Sequence, residues 1–131
     1  MIEIIALNSF KKEYKKLKKR YKRIDSDIIS IEEDIVYNPK SGIDLGEGFY
    51  KTRVKNSDKN RGKSGGYRII TYYIDDDGVV YLVSIYDKGD KDSVSVEQLK
   101  EIIKKELWTA ILQNPFFVHI WYGDLSWFEN S

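Results

Sequence analysis

Two adjoining runs carry the densest strand pattern in the chain. Tyr67 to Ile74 and Val79 to Tyr86 are built from β-branched and aromatic residues, which fit a pleated, half-buried surface. Asp75-Asp76-Asp77-Gly78 stands between them and predicts a hairpin turn. A three-residue loop closed by a left-handed glycine pairs Asp75 with Val79 and sets Arg68 opposite Tyr86. Residues paired directly across strands share a face. One face is therefore expected to carry Arg68, Ser84, Tyr86 and Lys88 as a polar end, continued by Ile70, Tyr72, Val80 and Leu82. Ile69, Tyr73, Tyr81, Val83 and Ile85 face the other way and are the better core candidates.

Upstream, Ile2 to Leu7 reads as a first strand, and Asn8 or Ser9 as the cap of the helix that follows. Phe10, Tyr14, Leu17, Tyr21 and Ile24 recur at helical spacing and leave a lysine-rich exterior. A second helix is expected from Asp25 or Ser26 through Tyr37, with Ile28, Ile31 and Ile35 inward and Asn38-Pro39 as its stop. Lys40 to Gly48 reads as loop, Phe49 to Val54 as a strand, and Asn56 to Gly66 as a second, polar and basic loop. Ser95 and Gln98 form a capping box for a helix that buries Leu99, Ile102, Ile103 and Leu107 and ends at Asn114-Pro115.

At 131 residues the chain fits one domain with its own core. It lacks cysteine, and one histidine, His119, cannot build a zinc cluster, so neither metal nor cofactor is expected. No signal peptide and no membrane-spanning run is evident, and a cytoplasmic protein is expected. The formal charge is only +1, yet its distribution is uneven. Met1 to Ile74 holds 17 basic and 10 acidic residues, against 5 and 11 in the remainder. Such asymmetry fits one basic face, for a nucleic acid or an acidic partner.

An ordered series of motifs adds to this reading: Gly46-Glu47-Gly48-Phe49, Arg53-Val54, Gly62-Lys63-Ser64-Gly65-Gly66-Tyr67-Arg68, and Tyr81-Leu82-Val83-Ser84-Ile85-Tyr86-Asp87-Lys88. In this series the chain resembles the RelE/ParE toxin superfamily, most closely its HigB-like RelE branch. The resemblance spans roughly Ile2 to Glu106. It implies a small α+β fold, with two N-terminal helices and a C-terminal helix flanking a twisted, mainly antiparallel sheet. It also implies the toxin of a type II toxin–antitoxin pair, acting as a ribosome-dependent mRNA endonuclease. The implied partners are a co-encoded antitoxin, expected to be a helix-turn-helix protein, and mRNA on the ribosome, with no membrane and no small-molecule cofactor.

Metal-free RNA cleavage needs a base for the ribose 2′-hydroxyl, cations for the scissile phosphate and an acid for the leaving 5′-oxygen. Lysine, arginine and tyrosine are the groups at hand. Arg68 is the expected phosphate clamp, projecting from a strand end and contributing little to the core. Lys63 is a base or a second electrostatic stabiliser, Tyr86 orients or stacks the nucleotide, and Lys88 is an acid or phosphate contact. Arg53, Arg61 and Lys91 are expected to track the RNA backbone. Two alternatives remain: a ParE-like, non-catalytic inhibitor of DNA gyrase, or a degenerate toxin that only binds its antitoxin. Residues 1–115 are expected to form the toxin domain. The aromatic tail, 116–131, is expected to pack on that domain, because so much aromatic surface is unfavourable in water.

Overall fold

The computed structural model describes residues 2–59, 65–74, 78–91 and 93–113, the last six by backbone alone. The elements in chain order are β1 (Glu3–Ala6), α1 (Asn8–Arg20), α2 (Ile24–Tyr37), β2 (Ile43–Gly46), β3 (Phe49–Val54), β4 (Tyr67–Tyr73), β5 (Val79–Asp87) and α3 (Val96–Gln113). The strands form one sheet in the order β1-β5-β4-β3-β2. β1 runs parallel to β5, and the remaining pairs are antiparallel. This is the α+β arrangement of helix pair, mixed sheet and C-terminal helix. Among the described residues no helix is long and apolar enough to cross a membrane.

The central strands β4 and β5 are buried on both faces. Phe10, Leu17, Ile24 and Ile28 of the helix pair pack with Val54, Ile69, Leu82 and Ile85 on one side. Leu99, Ile103 and Leu107 of α3 pack with Phe49, Ile70, Tyr72, Tyr81 and Val83 on the other. Two expectations about the hairpin change here. Arg68 does pair with Tyr86 and Ile70 with Ser84, but Thr71 then pairs with Leu82, so Val83 is an extra residue in β5. This β-bulge shifts the register on the turn side, giving Tyr72 opposite Tyr81 and Tyr73 opposite Val80. A one-residue shift moves side chains to the opposite face. Val80 and Leu82 therefore join the helix-pair core, whereas Tyr81 and Val83 join the α3 core. The Ser9 hydroxyl of α1 donates to the Val83 carbonyl at 2.6 Å and so satisfies the bulge from outside the sheet.

That bond also explains why Ser9 is no N-cap. The cap position of α1 is Leu7, without a side-chain hydrogen bond, and the Ser9 N–H instead donates to both carboxylate oxygens of Glu106 in α3 at 3.1 and 3.2 Å. The second helix begins one residue before Asp25, and Ser26 donates back to the Arg23 carbonyl. The capping box of α3 is formed in both directions: Ser95 N–H to Gln98 Oε1 at 3.1 Å, and Gln98 N–H to Ser95 Oγ at 3.2 Å. Within the segment expected to be loop, Ile43–Gly46 pairs with β3 as the edge strand β2. Its turn places Gly46, Glu47 and Gly48 at φ 89°, 55° and 90°. Lys100 of α3 holds Glu47 by an ion pair at 3.1 Å.

Candidate nucleic-acid interface

At the end of the sheet away from the hairpin turn, Arg53, Arg68 and Tyr86 stand side by side on β3, β4 and β5. Adjacent strands lie about 4.8 Å apart, so this row is about 10 Å wide. Its members differ in access: Arg53 is exposed, whereas Arg68 and Tyr86 are only 4% and 3% exposed. Burial corrects the expectation that Arg68 projects into solvent. Its Nη1 donates to the Tyr67 carbonyl at 3.2 Å, so the guanidinium is held within the sheet end and is part of the packed structure. Ser84, expected at the same polar end, is buried as well and donates to Glu13 Oε1 at 2.9 Å.

α1 passes beside this end of β5 and adds charge. Glu13, Lys16, Arg20, Tyr86, Asp90 and Lys91 line a cleft of about 230 Å³. Lys91 Nζ lies 5.4 Å from the Tyr86 ring centre, a cation–π distance, and 3.7 Å from Glu13. Arg20 pairs with Asp90 at 2.7 Å, which holds its guanidinium more firmly in the charged form than usual. The cations of the helix exterior therefore reach the same cleft as the strand-end tyrosine.

The turn after β5 is anchored from the opposite face of the sheet. Asp87 is fully buried; its carboxylate pairs with Lys59 and accepts the Gly89 N–H at 3.0 Å. The hydrogen bond that the Lys59 ammonium donates to Asp87 is the main cause of a raised Lys59 pKa, against the opposing effect of burial. Asn56 and Lys59 belong to the loop expected to be merely polar and basic, yet Asn56 is 1% exposed and locks that loop to β5. Gly66 lets the strands approach there: a Cβ would meet the Val54 carbonyl oxygen at 2.0 Å. Burial, followed by the nearby Asp27 and Asp58 carboxylates, pushes the Tyr67 phenol above its ordinary range.

Comparison with known proteins places the chain in a family. Residues 8–113 match the family described as the RelE toxin of the RelE / RelB toxin-antitoxin system. The chain belongs to the RelE toxin family. Its fold is also that of a solved structure, the isolated E. coli RelE toxin, with a TM-score of 0.51 and 18% identity over 80% of this chain and 98% of that one. Family membership makes the chain a toxin of the toxin–antitoxin type.

Within this RelE-family chain, the structure brings together Arg53, Arg68, Tyr86 and Lys91 of the residues singled out from the sequence. Lys88 is half-buried in the adjoining turn, and its N–H donates to the Gly66 carbonyl at 3.0 Å. Lys63 and Arg61 lie outside the described residues, as do the aromatic tail and His119. Sequence reasoning missed Glu13, Lys16 and Arg20 as members of the cleft. Glu13 had a signal, being the only acid in the α1 sequence. Asp87 had none, because nothing local shows that a carboxylate after a strand will be buried. Among the described residues no group of three histidine or carboxylate side chains is placed to hold a metal ion.

Proposed function

We propose that this RelE-family toxin is a ribosome-dependent mRNA endonuclease, and that the sheet end around Arg68 and Tyr86 is its RNA site. The observation that carries the reading is the three-strand row of Arg53, Arg68 and Tyr86, with Lys91 on the tyrosine ring and α1 cations at its side. Such a row offers what phosphate recognition needs, fixed positive charge: Arg53 and Lys91 are exposed, while Tyr86 is too buried to stack a base as the sequence suggested and instead supports Lys91 through its ring. The exposed Arg53 and Lys91, with Arg61 in the preceding loop, follow the RNA backbone. Arg68, held from below, directs positive charge at the scissile phosphate. Lys63 assists removal of the 2′-hydroxyl proton, and Lys88 delivers a proton to the leaving 5′-oxygen. Attack of the 2′-oxygen on phosphorus breaks the bond to the 5′-oxygen and leaves a cyclic 2′,3′-phosphate and a 5′-hydroxyl end.

The motif series from Gly46 to Lys88 favours the HigB-like branch within the family. A cytoplasmic location follows from a ribosomal target, and a co-encoded helix-turn-helix antitoxin is the expected neutralising partner. Expression of the chain should arrest growth and cleave translated messages, and co-expression of the neighbouring antitoxin should restore growth. Mapping transcript 5′ ends after induction tests this. New 5′-hydroxyl ends within coding regions are expected. Intact mRNA alongside poisoned gyrase would instead assign the chain to gyrase inhibition, and intact mRNA without arrest to antitoxin binding alone.

A further inference from the structure

An uncovered apolar groove runs along the helix-pair face beside β1. One part, about 390 Å³, is lined by Ala6, Phe10, Ile28, Ile29 and Leu82; its neighbour, about 410 Å³, by Ile4, Val36 and Tyr37. Glu32 borders both, which makes them one continuous trough. Ile29 is 62% exposed, Val36 37% and Tyr37 94%, an unusual concentration of apolar surface on one helix. The trough borders β1, which among the described residues pairs with β5 alone. The Glu3 and Leu7 N–H groups donate to Gly78 and Leu82 on the β5 side. Strand alternation then directs the Ile4 and Ala6 N–H groups away from β5, across the open edge.

The course of α3 points to an occupant. Lys100 is tied to Glu47 at the far, β2–β3 side of the sheet, whereas Glu106 reaches Ser9 and Leu107 packs with Leu7 at the β1–α1 junction. α3 thus crosses the sheet toward β1, and its last six residues carry the chain about 9 Å farther. Asn114-Pro115 comes next, and a residue before proline disfavours helix. Phe116-Phe117-Val118-His119-Ile120-Trp121-Tyr122 is then a run of strong strand formers. In an extended conformation it spans about 23 Å, more than the length of β1.

We propose that Phe116 to Tyr122 adds to the open edge of β1 as a sixth strand and covers the trough between β1 and α2. Alternation puts Phe116, Val118, Ile120 and Tyr122 on one face, an entirely apolar set suited to Ile4 and Ile29, and leaves His119 on the other. The added strand lies beside the start of β5, because β1 pairs only with Val79 to Leu82. The Arg68–Tyr86 end therefore stays open to RNA. This placement goes beyond the toxin assignment and does not depend on it.

Hydrogen exchange on the purified full chain tests the proposal. Phe116 to Tyr122, together with Ile4 and Ala6, should exchange about 100-fold more slowly than free peptide. Val118→Pro, which puts a donor-free residue in the ladder, should release both groups while the amides of β4 keep their protection. Ile29→Lys should weaken tail protection about tenfold, whereas Ile43→Lys, on the opposite sheet edge, should leave it unchanged. Ile29 is mostly exposed, so its replacement does not endanger the fold. Tail exchange at the free-peptide rate, or protection indifferent to Ile29→Lys, overturns the proposal. Protection lost on dilution overturns it too, because the occupant is then the tail of a second copy.

Discussion

Replacing Lys59 with methionine tests whether the buried Asp87 pair holds the candidate RNA site in place. Methionine keeps much of the apolar stem and removes the charge. Asp87 is completely buried and would retain the Gly89 N–H at 3.0 Å and the Asn56 amide at 3.5 Å as donors, without the ammonium that Lys59 supplies. Removing one partner of a buried pair costs about 3–5 kcal/mol. Lys59 keeps 24% of its side chain in solvent and two donors remain, so a lower figure, about 2–3 kcal/mol, applies here. Asp87→Asn should cost less, about 1–2 kcal/mol, because the half-buried ammonium can turn to water. The double variant should lose less than the two single losses combined, since no buried charge is left without its partner. Urea denaturation of the four proteins measures this cycle. The pair also has a pH signature. The Lys59 pKa is raised in the folded chain, so its stabilisation is complete below the ordinary lysine value near 10.4 and fades as pH rises through the folded value. Lys59→Met should lack that alkaline loss. Strictly additive single effects, or a Lys59→Met protein within about 0.5 kcal/mol of the parent, would refute the reasoning.

Arg68→Ala should lower RNA cleavage per folded molecule about 10²-fold, and its burial means that it should also cost about 1–3 kcal/mol of stability. Arg68→Lys should restore stability better than cleavage, because an ammonium lacks the two-pronged grip; unchanged cleavage per folded molecule in Arg68→Ala makes the residue purely structural. Gly66→Ala forces a Cβ to within 2.0 Å of the Val54 carbonyl oxygen and 2.9 Å of the Asn56 nitrogen, both backbone atoms. It should leave little folded protein by circular dichroism, and a normal melting curve would contradict that geometry. Ser95→Ala removes one half of a formed capping box and should cost about 1 kcal/mol, read as a fall of a few degrees in Tm.

Where function rests on local pattern, the amino-acid order was sufficient. The strand character of Tyr67 to Tyr73 and Val79 to Asp87 and the Ser95–Gln98 box depend on neighbours within a few residues, whereas Arg68 faces Tyr86 only because the bulge at Val83 offsets a turn-side register one residue away from the expected one. The ordered motifs likewise pointed to the family that residues 8–113 match. The short strand Ile43–Gly46 was hidden, because four residues ending in glycine gain their ladder only from β3. Tertiary structure alone decided the rest. The bulge at Val83 arises where α1 takes its carbonyl, and it reversed the faces of Val80, Tyr81, Leu82 and Val83. Whether Arg68 is exposed, whether Asp87 finds Lys59, and whether Lys16 and Arg20 line one cleft with Tyr86 depend on elements distant in sequence being packed together. Periodicity reports which residues share a face, but burial and charge pairing are properties of what covers that face, and the cover comes from elsewhere in the chain.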